Sequence, residues 1–350
     1  MYTYQTLARE LRKHLLAIFC LLPLIPGAQA QTITATLNSG NSPAAIAVNP
    51  VNDKIYVANK ADNTLTVISG ATNATTTLAV GTTPVALAAN PSNGTVYVAN
   101  SGSNNVTVVN AANSASTIAV GTYPIALAVN PSSGKVYVVN SGSNNVTVIT
   151  GTATATIPVG LFPYAVAVNP QSNQIYVLNQ GDGTVTVING KTNKTSTITV
   201  GSLPVAVAIN PVTNKIYVAN NGSQSVSVID GTTNSVTATL IAGNPLCLTV
   251  DPVTNQIFIG ARGGIVDVVD GATNAITSVA PGGLIESIAV NPLTNQVYTA
   301  GSLDLAAIDA ATLPGMKEKE THGHTATAST ARRPSPLCWP SPTHTPRPRA

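Results

Sequence analysis

The chain has 350 residues, of which 8% are charged, 44% hydrophobic and only 4% aromatic. Its apolar content is therefore mostly Val, Ile, Leu and Ala, which excludes a disordered polyelectrolyte and argues against an ordinary charged-surface enzyme. The net charge of +3 belongs to the two ends, because residues 31–312 hold seven basic against ten acidic side chains, which excludes nucleic-acid binding through a basic face.

Residues 1–30 read as a secretory signal peptide. Arg9, Arg12 and Lys13 form a basic start, Leu15 to Ile25 an apolar run of 11 residues, and Ala28-Gln29-Ala30 a small-residue cleavage site. As a helix that run spans roughly 16 Å, about half a bilayer core, and Pro23 and Pro26 interrupt it. The expectation is export, with cleavage after Ala30, to the periplasm, the cell surface or the medium, and no membrane insertion once the leader is gone. Cys20 lies in this leader, while Cys247 and Cys338 are far apart in unlike contexts, so no disulfide framework is predicted.

An isolated β-type segment, Thr32–Leu37, opens the mature chain. A repeat array follows. Asn-Pro recurs at Asn49, Asn90, Asn130, Asn169, Asn210 and Asn291, with Asp251-Pro252 filling the one gap, at spacings of 39 to 41 residues. Repeats of this length signal a radial or solenoid array. Within a unit, four β-branched runs alternate with turn chemistry. In the fifth they are Val205–Ile209, Ile216–Ala219, Val226–Ile229 and Val236–Leu240, bounded by Asn, Pro, Gly and Asp. Helical spacing is absent, so the array is all β.

Two architectures suit it, a propeller of four-stranded blades and a stacked solenoid. The ends of the array favour the propeller. The seventh unit supplies three strands (Ser287–Val290, Gln296–Thr299, Leu303–Ile308) and no fourth, and Thr32–Leu37 matches the missing pattern. A seven-bladed ring of four antiparallel strands per blade, its last blade completed by the N-terminal strand, hides the open edge. The predicted organisation is thus signal peptide 1–30, propeller 31–312 and tail 313–350. The tail holds seven prolines, three histidines and the single Trp, Trp339, with no apolar periodicity. It is expected to be disordered, and its foreignness to the repeats suggests an out-of-frame or truncated gene end.

Tyr-Val-Ala-Asn at 56–59, 97–100 and 217–220, with Tyr137–Asn140 and Tyr176–Asn179, resembles the motif of YVTN-repeat β-propeller proteins. The Asn-Pro turns and the Gly-x-x-Pro entries (Gly81–Pro84, Gly121–Pro124, Gly160–Pro163, Gly201–Pro204) match as well. Phe258–Ala261 and Tyr298–Gly301 depart from the motif, so the last two blades are irregular. The resemblance implies an exported or cell-surface protein similar to surface-layer propellers, and implies no single reaction.

Chemistry-bearing side chains are sparse. Residues 31–312 contain no His, Trp or Met, one Glu (Glu286), one Arg (Arg262) and one Cys (Cys247). Haem, zinc or copper ligation and a Ser–His–Asp triad all lack their residues, so no catalytic residue, metal or cofactor is predicted. Asp230, Asp270, Asp309 and Asp251 read as turn residues, and Asp53 and Asp62 as solvated turns before calcium ligands. The recurrent second-strand Tyr reads as blade-to-blade packing, the Asn that ends this strand as a local hydrogen-bonding device, and Cys247 as a small core residue. Residues that the scaffold does not dictate are the better functional candidates. Tyr123, Leu161, Phe162, Tyr164 and Leu203 are large apolar groups at or beside the Gly-x-x-Pro entries of three successive blades, and Arg262 is one of few charges in the loops sharing that face. An apolar patch rimmed by adaptable polar loops suits a protein or cell-surface glycan partner. The function predicted is a non-catalytic exported scaffold; the alternative is a lactonase-like or quinoprotein-like enzyme built on channel-lining Asn, Asp and Glu286.

Overall fold

A computed structural model of the chain describes residues 35–291, 296–301 and the backbone of 305–309. The predicted leader, the tail from 313 and residues 32–34 of the predicted closing strand lie outside these. Every described element is a strand or a turn, so no helix among the described residues is long and apolar enough to cross a membrane. The strands form seven antiparallel sheets in chain order, six of four strands and one of three, which are the blades of a seven-bladed β-propeller.

Blade one comprises β1 (Pro43–Asn49), β2 (Lys54–Asn59), β3 (Thr64–Ser69) and β4 (Thr75–Ala79). Blade two has β5 (Pro84–Ala89), β6 (Val96–Asn100), β7 (Asn105–Val109) and β8 (Ala115–Ala119); blade three has β9 (Pro124–Val129), β10 (Val136–Asn140), β11 (Asn145–Thr150) and β12 (Ala153–Pro158). Blade four has β13 (Pro163–Asn169), β14 (Gln174–Asn179), β15 (Thr184–Asn189) and β16 (Thr195–Thr199); blade five has β17 (Pro204–Asn210), β18 (Lys215–Asn220), β19 (Ser225–Asp230) and β20 (Ser235–Ile241). Blade six has β21 (Pro245–Asp251), β22 (Gln256–Ala261), β23 (Val266–Asp270) and β24 (Ile276–Val279), and blade seven β25 (Ile285–Asn291), β26 (Gln296–Gly301) and β27 (Leu305–Asp309).

The second and third strands are buried on both sides, which is why they read as unbroken apolar runs and not as alternating ones. Side chains one residue apart leave a strand on opposite faces. Along β14, Ile175 and Val177 accordingly join Tyr137 of blade three, while Tyr176 and Leu178 join Ile216 and Val218 of blade five. Each core thus lies between two blades. The recurrent ring sits there in six blades, at Tyr56, Tyr97, Tyr137, Tyr176, Tyr217 and Phe258, all buried. Cys247 packs half-buried against the core of blades six and seven, and burial pushes its thiol up to about 12.

The Asn-Pro turns are held by the asparagine itself. Asn130 Oδ1 accepts from the backbone N of Ser132, and Asn169 and Asn210 repeat this with Gln171 and Val212. Their Nδ2 groups donate onward to the next blade, Asn130 to Asn173, Asn169 to Asn214 and Asn210 to Asn255. Asp251 keeps the turn bond, to Val253 N at 2.8 Å.

First strands pack in series, β1 on β5 and onward to β21 on β25. No comparable packing joins β25 to β1 among the described residues. Ile46 and Val48 of β1 are 68% and 61% exposed, whereas their equivalents Val166, Val168, Val207 and Ile209 sit in the preceding interface. The sequence predicts Thr32–Leu37 as the fourth strand of blade seven; Ala35, Thr36 and Leu37 carry no strand pairing, and the rest of that segment lies outside the described residues.

Candidate functional site

The face that carries the entries to the first strands is built from two loops per blade, stitched together by backbone hydrogen bonds. In blade three Ser141 N donates to Tyr123 O and Gly142 N to Thr122 O; in blade four Gln180 N and Gly181 N do the same to Phe162 O and Leu161 O. Blade five repeats the pair with Asn221 and Gly222 on Leu203 and Ser202. A side-chain acceptor in the loop between second and third strands adds another bond: Ser143 Oγ accepts from Thr122 N at 3.0 Å, and Asp182 Oδ2 from Leu161 N at 2.6 Å. Asp62 plays this part in blade one, where Asn41 donates to it from both its backbone and its side chain and so holds its carboxyl below the usual range. Asp62 and Asp182 are thus turn acceptors that hold the entry loops, and among the described residues no three His, Cys, Asp or Glu side chains group together.

The backbone at the residue before each entry proline is unusual. Ser42, Thr83, Tyr123, Phe162, Leu203 and Asn244 all have φ between 48° and 55°. A left-handed backbone crowds the Cβ, at a cost of roughly 1–2 kcal/mol for most residues. At the other left-handed positions of these blades the chain mostly supplies Asn or Gly, as at Asn63, Asn104, Asn144, Asn173, Gly183 and Asn214. Tyr123, Phe162 and Leu203 are the bulky exceptions, on three adjacent blades.

Two of the three are clamped from the neighbouring blade. Tyr123 N donates to Asn104 Oδ1 at 2.8 Å, and Phe162 N to Asn144 Oδ1 at 2.9 Å. Gly183 occupies the equivalent place before Leu203, which therefore lacks that bond. Tyr123 and Phe162, held at N and O, and Leu203, held at O, turn their side chains outward: Tyr123 is 45% exposed, Phe162 63% and Leu203 49%. Leu161 and Tyr164 flank Phe162 at 51% and 43%. Tyr164 is displayed by a β-bulge, because the register of β13 on β14 skips from Pro163 to Ala165.

Five of the six residues singled out from sequence therefore lie on one ridge crossing blades three to five. Arg262 stands one blade beyond, exposed, its backbone N bonded to Asn244 O at 3.2 Å. It borders the ridge and does not join it. Glu286 is exposed on β25 at the bulge position equivalent to Tyr164. Sequence reasoning passed over Ile241, the last residue of β20, which is 85% exposed. Its run reads as an ordinary fourth strand, and only the longer Val236–Ile241 stretch distinguishes it.

A family model described as a lactonase with a 7-bladed beta-propeller matches residues 22–119. No curated protein matches the chain. Among solved structures, Kuenenia stuttgartiensis hydrazine synthase is similar with a TM-score of 0.62 at 20% identity, over 81% of this chain and 99% of that one. Virginiamycin B lyase from Staphylococcus aureus has a TM-score of 0.62 at 11% identity, over 75% of this chain and 92% of its own. A streptogramin B lyase gives 0.61 at 12%, over 76% and 92%. At such identities the likeness is one of fold: this chain is built as these propellers are.

Proposed function

We propose that the protein is a non-catalytic exported scaffold that captures a protein partner at the cell surface through the ridge of Tyr123, Leu161, Phe162, Tyr164 and Leu203, with Arg262 at its border. The supporting observation is the left-handed backbone of Tyr123, Phe162 and Leu203. Strain at an exposed position returns no stability, so its presence points to function. The surroundings have the composition of a binding face: Tyr supplies rigid contact area, and Ser141 and Asn221 supply adaptable hydrogen bonds. Charge is sparse there, so binding is expected to resist salt.

The test compares capture from envelope extracts by the wild type and by Tyr123→Ser/Phe162→Ser, quantified by mass spectrometry. Loss of two aromatic anchors lowers the retained partner by ~10-fold or more; undiminished capture removes the ridge.

A second reading, an enzyme, is favoured by the lactonase match over residues 22–119. One virginiamycin B lyase structure is of a catalytically inactive His→Ala variant. Every histidine of this chain, His14, His322, His324 and His344, lies outside the described blades. Measuring the metal and cofactor content of purified residues 31–312 separates the readings, and stoichiometric calcium or a quinone chromophore overturns the first.

A further inference from the structure

A cleft of about 590 Å³ opens between the outer strands of blades four and five, and local sequence explains it. Blades one to four put Thr or Asn at the start of the third strand and Thr two positions later, as in Thr184 and Thr186 or Asn145 and Thr147, and blade six has Ile265 and Asp267 at these places. Blade five has Ser225 and Ser227, which withdraws bulk from this wall. Its fourth strand is also longer, and the pairing of β19 with β20 skips from Val228–Ala238 to Ile229–Val236. Thr237 is the extra residue, and its Oγ1 donates back to Val228 O at 3.2 Å. A bulge bends the strand that bears it, here the strand that carries Val236, Thr239 and Ile241 into the lining.

The lining chemistry is uniform. It contains hydroxyls, one side-chain amide and aliphatic groups, and no charged side chain. Ser227 Oγ is held by Asn220 Nδ2 at 2.9 Å, so that wall is fixed in place. Thr199, Thr239 and Gln224 are exposed at the cleft, their side-chain polar groups unengaged by other groups among the described residues. Ile241, 85% exposed, gives the mouth an apolar lip.

The geometry points to a binding site for a neutral glycan in this cleft, separate from the protein-binding ridge and not dependent on it. A pyranose carries both surfaces that the lining offers: a rim of hydroxyls for Thr199, Thr239 and Gln224, and a C–H face for Val236 and Ile241. A charged sugar has no counter-ion in the wall and pays to lose its water. The volume lies within the ~300–1,000 Å³ of small-ligand sites.

The test is titration of the mature chain with maltose, cellobiose, lactose and N,N′-diacetylchitobiose, followed by saturation-transfer NMR. At least one binds saturably, with a Kd near 1 mM or below (about −4 kcal/mol). Thr199→Val/Thr239→Val keeps shape, deletes two hydroxyls and weakens that sugar by about 10-fold, while Phe162→Ser leaves it unchanged. The site is refuted if no sugar binds up to about 20 mM, if the double variant binds as well as wild type, or if the Phe162→Ser variant loses the sugar. Displacement of the bound sugar by an uncharged Thr/Val-rich peptide that pairs with β20 also refutes it, by assigning the cleft to strand addition.

Discussion

A left-handed Asn and a left-handed Phe sit on this scaffold in the same backbone, and the difference between them is measurable. Phe162 and Leu203 lie at φ 48° and 49°, and Asn244 at 50° in the equivalent place one blade on. Asn tolerates that region because its short side chain bonds locally, whereas Phe and Leu pay roughly 1–2 kcal/mol. Being largely exposed, neither recovers the cost by burial. Phe162→Asn and Leu203→Asn are therefore expected to raise the unfolding free energy by about 1 kcal/mol each, read as a higher urea midpoint at unchanged slope, while partner capture falls. A midpoint that drops means that the side chains support the fold and that the ridge is not a binding device. The positions of these residues were legible in the sequence, since Gly-x-x-Pro recurs with unlike residues inside it. Their φ was not, because a residue before proline is normally extended, and here backbone bonds from the adjacent loop, with the Asn104 and Asn144 clamps from the neighbouring blade, hold Tyr123 and Phe162 otherwise.

Single strands show which repeats tolerate change. The Asn that closes the second strand does more than cap its loop, the role expected from sequence. Asn140 Nδ2 donates to Asn145 Oδ1 at 2.8 Å and to Thr147 Oγ1 at 2.9 Å, and Gly121 N donates to the same Thr147 hydroxyl at 3.3 Å. Second strand, third strand and entry loop are thereby tied at one buried point. Asn59, Asn100, Asn179 and Asn220 repeat the bond to Thr66, Thr107, Thr186 and Ser227. Blade six breaks the pattern with a paired exchange: Ala261 replaces the Asn and Asp267 the Thr, and Asp267 Oδ1 takes a 2.6 Å bond from Ser278 Oγ. One half of that exchange made alone should fail. Asn140→Ala leaves Thr147 and Asn145 without their shared donor, at an expected cost of about 2 kcal/mol in chemical denaturation. Asn105→Ala removes only an acceptor at the margin of the equivalent point in blade two and costs less than half as much. Equal losses would show that the network is no keystone.

At the scale of the ring, what matters is the joint between the last blade and the first. The repeat count, four strands per unit and the order of the blades follow from sequence periodicity, because each sheet is too apolar on both faces to stand alone. The joint is less legible, because it depends on two flanks, at Ile46 and Ala300, that are 254 residues apart in the chain. Two interfaces show what those flanks do: Val207 of a first strand meets Leu178 of the preceding second strand in one core, and Val166 meets Val139 in another. By register, Ile46 is the counterpart of Val207 and Ala300 of Leu178, and both are exposed. The same knobs on one end and the same seat on the other make blade seven the natural cover for β1. Tethering in one chain favours this pairing over a second copy, since the effective concentration is about millimolar or higher. In a Cys247→Ser/Cys338→Ser background, Ile46→Cys with Ala300→Cys should oxidise to an intramolecular disulfide and a monomer. Closing so long a loop should raise stability by about 2–4 kcal/mol. Disulfide-linked dimers or longer chains on a non-reducing gel would instead assign the two flanks to contacts between molecules, because a surface and its complement at opposite ends of one body then join head to tail.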